Sequence, residues 1–331
     1  KTDVSQLIAL TQGLDQIGLL WGPTFERLEA KTLQRIKESG SFPTNASASL
    51  GTDETMVRET IKGYLDQTED PELEMTVRGI VAPHLDYERG WPNYAAAYYN
   101  LQHQAKPDRV VILGTNHFGL GDGVVFTESG FQSPLGICPI DQPVADHVLK
   151  ELGRPVIIDQ LDFMAEHSIE LHLPWIQYAY GNVPILAALI PDPLHSMIED
   201  DEENELVTTE VFLNVLTGAL EQAGGSTLFV SSADLSHVGP QFGEPRAVDE
   251  QRRFDVERHD RDMMGKFLTG DGEQFLEAMN WNRNPTRWCS IGNMAALLEL
   301  IQPDQVELID YRQAVDEQGR CMVTSAAMAM G

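Results

Sequence analysis

Basic residues and cysteines are scarce in this chain of 331 residues, and it has no long apolar run. Its 23 Lys and Arg stand against 51 Asp and Glu, so the formal net charge is −28. Nucleic acids and anionic membrane surfaces bind basic proteins, and this charge argues against both as partners. No stretch approaches the roughly 18 apolar residues that a membrane-spanning helix needs. The acidity is typical of a well-solvated surface.

The three cysteines, Cys138, Cys289 and Cys321, are widely spaced along the chain. This pattern indicates free thiols in a reducing compartment rather than a disulfide framework. The polar residues 1–4 do not resemble a secretory signal. We therefore expect a cytoplasmic location.

From residue 78 onward, short apolar runs alternate with stretches of helical periodicity. Residues 78–82, 109–113 and 227–231 have the β-branched and apolar composition of buried strands. Two further strands, at 306–314 and 320–328, are expected to pair at the end of the chain. The alternation predicts a three-layer α/β/α sandwich, with helices on both faces of a mixed sheet.

The N-terminal part has a different pattern. Leucines at helical spacing predict two helices within residues 4–40, and the Ser-, Gly- and Asn-rich stretch 39–52 predicts a linker. We therefore expect a helical extension with linker over 1–45 and an α/β domain over 46–331. The extension faintly resembles the end of a winged-helix domain, but the acidity argues against DNA binding.

His84, His117 and Cys289 are the strongest candidates for metal ligands. Each His follows an apolar run, and Cys289 precedes a helix that is expected to start near Ser290. Residues past strand ends and at helix starts line the crevice where α/β proteins bind ligands. Two imidazoles and a thiolate meeting there would form a three-ligand site with open positions. Cys138 is interpreted, like Cys321, as a small buried apolar residue.

Residues 165–174 contain two His and two Glu near a predicted helix start. Glu166 and His167 are candidates for the wall of a pocket. Glu170 lies three residues from His167 and could orient its imidazole. A structural role is the alternative for His167, and it is favoured for His172, which points elsewhere on the helix.

Asp234 and His237 follow another apolar strand, at 228–230. A carboxylate beside an imidazole sets its tautomer and raises its pKa, which suits a general base or the support of a metal ligand. The alternative is an Asp that caps a helix beside a surface His. From the sequence both interpretations stay open, and function is favoured.

Five motifs together resemble the Memo family, whose bacterial members are called AmmeMemoRadiSam system protein B. The resemblance covers about residues 75–331. Its motifs are PHLDY at 83–87, GTNH at 114–117, EHSIE at 166–170, SADLSH at 232–237 and WCS at 288–290.

This resemblance implies a fold similar to class III extradiol dioxygenases, which are non-haem iron enzymes. It implies that His84, His117 and Cys289 hold iron or copper and that His237 takes the place of the dioxygenase general base. The dioxygenases have a carboxylate where this chain has Cys289. A thiolate is softer and itself oxidisable, which argues against ring cleavage.

Several functions remain open at this point. The first is metal-dependent redox chemistry on an unidentified small molecule, with His237 as proton acceptor supported by Asp234. The second is a non-catalytic partner of radical-SAM and AMMECR proteins with a vestigial pocket. The third is a hydrolytic zinc site, since two His and one Cys also suit zinc.

Overall fold

A computed structural model describes residues 3–119, 123–194 and 206–331. Asp side chains cap the N-termini of six of its helices, α1, α3, α4, α5, α9 and α10, by accepting backbone N–H groups. The helices are α1 (Val4–Gln16), α2 (Pro23–Ser39), α3 (Glu54–Leu65), α4 (Tyr87–Tyr98), α5 (Gln142–Leu152), α6 (His167–Glu170), α7 (Leu173–Tyr180), α8 (Thr209–Ala223), α9 (Glu250–Phe267), α10 (Gly272–Asn282) and α11 (Ile291–Ile301). Short 3-10 helices cover Ala46–Leu50, Asn100–His103, Arg154–Ile157, Gln160–Met164 and Pro240–Phe242.

A mixed sheet of eight strands forms the centre of the protein. The strands of the structure are β1 (Ser41–Phe42), β2 (Gly79–Ala82), β3 (Arg109–Thr115), β4 (Val125–Phe126), β5 (Gly130–Ser133), β6 (Gly136–Cys138), β7 (Ile185–Ile190), β8 (Thr227–Ser232), β9 (Asp234–Val238), β10 (Val306–Val315) and β11 (Met322–Met330). The order is β10-β11-β2-β8-β3-β7-β4, and β9 pairs with β11. The neighbours β2, β8, β3 and β7 are parallel, whereas β4, β9, β10 and β11 join antiparallel. The predicted mixed α/β fold is therefore confirmed.

The two faces of the sheet are buried in two apolar clusters. On β3, Val110 and Ile112 pack with α3, α4 and α7, where Trp175 is fully buried. Val111 and Leu113 point the other way and pack with α5, α8, α10 and α11. Because side chains alternate along a strand, a run of apolar residues indicates burial on both faces.

The stretch expected to be a linker is instead packed against the rest of the protein. β1 pairs in parallel with β5, which pairs with β6 to form a second, three-stranded sheet. The Glu170 carboxylate accepts hydrogen bonds from the backbone N–H groups of Asn45, Ala46 and Ser47, and from the Ser47 hydroxyl. The domain boundary at residue 45 stays a prediction, but the chain on both sides of it is tied to the same body.

Some elements differ from the sequence prediction. The sequence pattern predicts an extended segment over 156–159, but 156–157 lie in a 3-10 helix and 158–159 form a turn. It also predicts one helix over 165–180, which is split into α6 and α7. The β5–β6 hairpin was not predicted, because its strands are short. The glycine-rich loop at 119–123 lies partly outside the described residues. Within the described ranges, no helix combines the length and the apolarity that crossing a membrane requires.

Candidate metal centre

Three neighbouring parallel strands bring the predicted site residues to one edge of the sheet. β2 leads to His84, β8 leads to Asp234, and β3 leads to His117. Because β8 lies between β2 and β3, their carboxyl ends open at the same place. Cys289 reaches this edge from the loop before α11. The possible ligand atoms of His84, His117 and Cys289 all lie within 4.8 Å of one another.

His84 is the buried member of this cluster, with 2% of its surface exposed. Its Nδ1 lies 3.2 Å from both the carbonyl oxygen and the hydroxyl of Ser232, and it donates to the carbonyl in the tautomer that has the proton on Nδ1. Its Nε2 faces the Cys289 sulfur at 3.4 Å. Burial and the neighbouring imidazoles lower the pKa of His84 well below its usual range. The ring is therefore neutral, with its Nε2 lone pair turned toward the cluster.

His117 is oriented by Glu166, which lies at the start of α6. Its Nδ1 is 3.0 Å from Glu166 Oε1, and its backbone N–H donates to Oε2 at 2.8 Å. Burial by itself lowers the pKa of His117, but its contacts with Cys289 and Glu166 outweigh burial and raise the pKa to about 10. Burial likewise raises the pKa of Glu166, yet the hydrogen bonds from His117 bring it down to about 2. Glu166 is therefore an ionised carboxylate that bonds Nδ1 of a protonated His117. A metal bound at Nε2 would displace the proton on that nitrogen.

A glycine lets α6 come this close to β3. A Cβ atom at Gly114 would lie 2.6 Å from the Ser168 hydroxyl, which itself accepts a hydrogen bond from the Thr115 backbone N–H. The Ser168 backbone N–H in turn donates to Glu166 at 2.8 Å, so Glu166 caps α6. A larger residue at 114 would push α6 outward and separate Glu166 from His117.

His167 lies beside the cluster and forms a second group with His117 and Glu166. Its ring is 4.9 Å from that of His117 and nearly parallel to it, and its Nδ1 is 3.4 Å from Glu166. Burial lowers the pKa of His167. Since Glu166 already bonds His117 Nδ1, this second group is better described as support for the first than as a separate metal site. Glu170, which was expected to orient His167, holds residues 45–47 instead.

Asp234 does not pair with His237 as the sequence suggested. Its Oδ1 accepts the backbone N–H groups of His84 and Leu85 at 3.0 and 3.2 Å, so it holds the loop that carries His84. Asp234 begins strand β9, and it therefore caps no helix. Burial raises the pKa of Asp234 to about 7, even though these two N–H groups lower it.

His237 is instead oriented by backbone carbonyls. Its Nδ1 donates to the carbonyl oxygens of Leu235 and Arg287, at 3.0 and 3.1 Å. Burial lowers the pKa of His237, and the charge of His117 acts in the same direction. His237 is therefore neutral, with the proton on Nδ1 and an accepting lone pair on Nε2. This is the form that a proton acceptor needs.

A network of polar residues holds Cys289, and one of them, Asn293, lies outside the five motifs. The Asn293 amide donates to the Thr115 hydroxyl and to the Ser232 carbonyl, both at 2.9 Å. The Thr115 hydroxyl lies 2.9 Å from that of Ser290, and Ser290 lies 3.2 Å from the Cys289 sulfur. Asn293 is a buried amide in a helix whose other buried residues are all apolar, and that contrast was the available signal.

The exposure of the cluster is graded. His84 is buried, Cys289 is intermediate, and the His117 side chain is 26% exposed. A metal ion held by these atoms would therefore have protein on one side and access from solvent on the other. The fold and site define an α/β protein with a His/His/Cys cluster at the carboxyl edge of its parallel strands.

Comparison with known proteins agrees with this class. The Memo-like protein family matches residues 42–329, which is most of the chain. The chain belongs to the Memo family. The helices α1 and α2 lie outside the matched range.

The curated relatives are archaeal and bacterial members of the same family. A MEMO1 family protein of Methanopyrus kandleri is 29% identical over 266 residues, 78% of this chain and 83% of the relative. One of Methanothermobacter thermautotrophicus is 31% identical over 166 residues, 50% of this chain and 56% of the relative. One of Thermotoga petrophila is 31% identical over 180 residues, 54% of this chain and 60% of the relative.

Proposed function

We propose that His84, His117 and Cys289 hold one metal ion, iron first and copper second, and that the protein carries out metal-dependent redox chemistry on a small molecule. The observation that carries the proposal is the approach of these three donor atoms to within 4.8 Å of one another. Bound there, iron or copper supplies redox chemistry with coordination positions left for a small molecule.

The donor set fits such an ion. His84 and His117 each have Nδ1 occupied, by a carbonyl and by the Glu166 carboxylate, so each offers Nε2. A carboxylate or carbonyl on the second ring nitrogen is the usual support of a metal-bound His. Cys289 contributes a soft sulfur donor, which suits copper, zinc and iron.

The other residues have distinct roles in this proposal. His237 accepts a proton from the small molecule at Nε2, because its Nδ1 proton is held by two carbonyls. Asp234 keeps His84 in place through the backbone. Glu166 stabilises His117, and His167 covers one side of the cluster with its stacked ring.

We extend the proposal to the fold class of the extradiol dioxygenases. A parallel sheet core with His84 and His117 after β2 and β3, the two strands that flank β8, supports this likeness. The thiolate of Cys289 takes the place of a carboxylate, so we expect redox chemistry other than catechol ring opening.

Metal analysis of the full chain tests the proposal. Protein purified anaerobically without a His tag is expected to contain close to one equivalent of iron or copper, and His84→Ala and Cys289→Ser are expected to lose most of it. Cys138→Ser, which removes a buried thiol on β6, is the matched control and is expected to retain the metal. Oxidised iron bound to a thiolate is also expected to absorb visible light.

Three results would contradict the proposal. Full metal content in Cys289→Ser would exclude the site. Stoichiometric zinc in a colourless protein would favour hydrolysis. A wild-type protein without metal that cannot be reloaded would favour a role as partner of radical-SAM and AMMECR proteins.

A further inference from the structure

One carboxylate outside the cluster accepts four side-chain hydrogen bonds. Asp260 lies in α9 and is completely buried. Its Oδ1 accepts from the Ser236 hydroxyl at 2.5 Å and from the Trp288 indole at 2.9 Å. Its Oδ2 accepts from the Tyr311 and Thr324 hydroxyls at 2.8 and 2.6 Å.

The two oxygens of Asp260 face different parts of the protein. The Oδ1 donors belong to the site: Ser236 lies on β9 between Asp234 and His237, and Trp288 directly precedes Cys289. The Oδ2 donors belong to β10 and β11, the antiparallel strands at the edge of the sheet. One buried carboxylate therefore connects both site segments to a long antiparallel ribbon.

A buried carboxylate costs free energy even when all its hydrogen bonds are made. All four side-chain donors are neutral, and burial raises the pKa of Asp260. Apolar side chains in place of Asp260 and its four partners could fill the same space at lower cost. The four hydrogen bonds of Asp260 fix the direction of each partner side chain, which apolar packing does not do.

The loop before Cys289 needs such a restraint. Arg283, Asn284 and Arg287 have positive φ angles of 57°, 43° and 60°, which L-residues rarely adopt. Residues in such conformations persist only where the surroundings hold them. The Asn284 side chain accepts from the backbone N–H of Trp288 and donates to the Trp288 carbonyl. Asp260 accepts from the indole N–H of Trp288. These two restraints hold Trp288, the residue directly before Cys289.

We propose that Asp260 is a positioning residue that fixes Cys289 relative to His237, acting through Trp288 and Ser236. The inference rests on the proposed metal site. It concerns two arms of the site, the loop that supplies the thiolate and the strand that supplies the proton acceptor. These arms also contact each other where His237 bonds the carbonyls of Thr286 and Arg287.

Cobalt binding by the full chain tests this role. Co²⁺ bound to a thiolate gives a charge-transfer band that reports on Cys289. Asp260→Asn and Trp288→Phe are expected to weaken Co²⁺ binding by about 10–100-fold and to reduce this band. Tyr311→Phe removes one hydrogen bond from the same carboxylate on the ribbon side, and it is expected to stay close to wild type. Equal losses in Trp288→Phe and Tyr311→Phe would overturn the proposal.

Alkylation of the metal-free protein gives a second test that needs no bound metal. Trp288→Phe and Asp260→Asn are expected to increase the rate at which iodoacetamide modifies Cys289 several-fold, as measured by peptide mapping, while Tyr311→Phe leaves it unchanged. Cys138 and Cys321 are buried and report on unfolding. If Asp260→Asn does not fold, Trp288→Phe decides the question. An unchanged Cys289 rate in Trp288→Phe would refute the positioning role, whereas wild-type protein that binds no Co²⁺ would refute the metal site.

Discussion

At the scale of single residues, the role of each histidine follows from what its Nδ1 contacts. Nδ1 of His84 and of His237 donates to backbone carbonyls, and Nδ1 of His117 contacts a carboxylate. His172 differs because it is buried in the core behind them, where its Nδ1 lies 3.0 Å from the Tyr98 hydroxyl. The same type of side chain therefore bonds a carbonyl, a carboxylate or a hydroxyl through Nδ1 at these four positions.

The buried His172 predicts a pH dependence of stability. Burial lowers its pKa to about 3 in the folded protein, from 6.5 in an unfolded chain. Between these values the unfolded state binds more protons, so the free energy of unfolding falls as the pH falls, by up to about 1.4 kcal/mol per pH unit for this group. Between pH 6.5 and 5, the free energy of unfolding of His172→Gln is expected to fall by about 2 kcal/mol less than that of wild type.

Urea denaturation at several pH values measures this difference. His103→Gln, which changes an exposed histidine, is the control. Its free energy of unfolding is expected to depend on pH as that of wild type does. Equal pH dependence in His172→Gln and wild type would show that His172 is protonated in the folded protein.

At the scale of elements, strand ends and short connections decide the architecture of the site. β2, β8 and β3 present their loops together because they are parallel neighbours, and the short helix α6 brings Glu166 to His117. The same helix ends with Glu170, which holds residues 45–47 through four hydrogen bonds. α6 thus connects the N-terminal segment to the site.

Removing this connection should destabilise the protein. Glu170→Ala leaves three backbone N–H groups and one hydroxyl without their acceptor, and we expect a loss of about 2–4 kcal/mol in the free energy of unfolding. Amide exchange at residues 45–47 should become faster. Glu54→Gln, at an exposed ion pair on α3, is the control and should change stability by less than about 0.5 kcal/mol. A similar small effect for Glu170→Ala would mean that packing of β1 holds this segment without the carboxylate.

At the scale of the whole molecule, the main feature is the excess of acidic over basic residues. The 51 acidic residues include the helix caps and the site carboxylates, but the formal net charge of −28 leaves most of them without a basic partner. Repulsion among like charges disfavours the compact state, and salt screens it. The protein should therefore be more stable in salt than at low ionic strength.

This expectation can be measured by thermal unfolding in 0.02 M and 0.5 M NaCl. We expect stabilisation on the order of 1 kcal/mol, which raises Tm by about 2 °C for a chain of this size. Unfolding in the same concentrations of a neutral osmolyte separates charge screening from solvent exclusion. A lower Tm in salt would mean that the surface ion pairs outweigh the net repulsion.

The sequence determined much of the fold and part of the site. Apolar runs such as 109–113 predicted the central strands, and the C-terminal pair was expected within two residues of β10 and β11. The positions of His84 and His117 after such runs predicted their meeting, because strands that alternate with helices open their loops at one edge. These features depend on residues close together in the chain, so periodicity reveals them.

Only the tertiary structure decided which polar groups pair. Asp234 holds the His84 loop rather than His237, and Glu170 holds residues 45–47 rather than His167. Asp260 lies in a helix rich in charged residues, where nothing in the sequence marks it, and it accepts from four side chains. Each of these carboxylates has a neighbour in sequence that could have been its partner. A hydrogen bond forms only where distance and direction both fit, and for groups far apart in the chain those are set by how the elements pack.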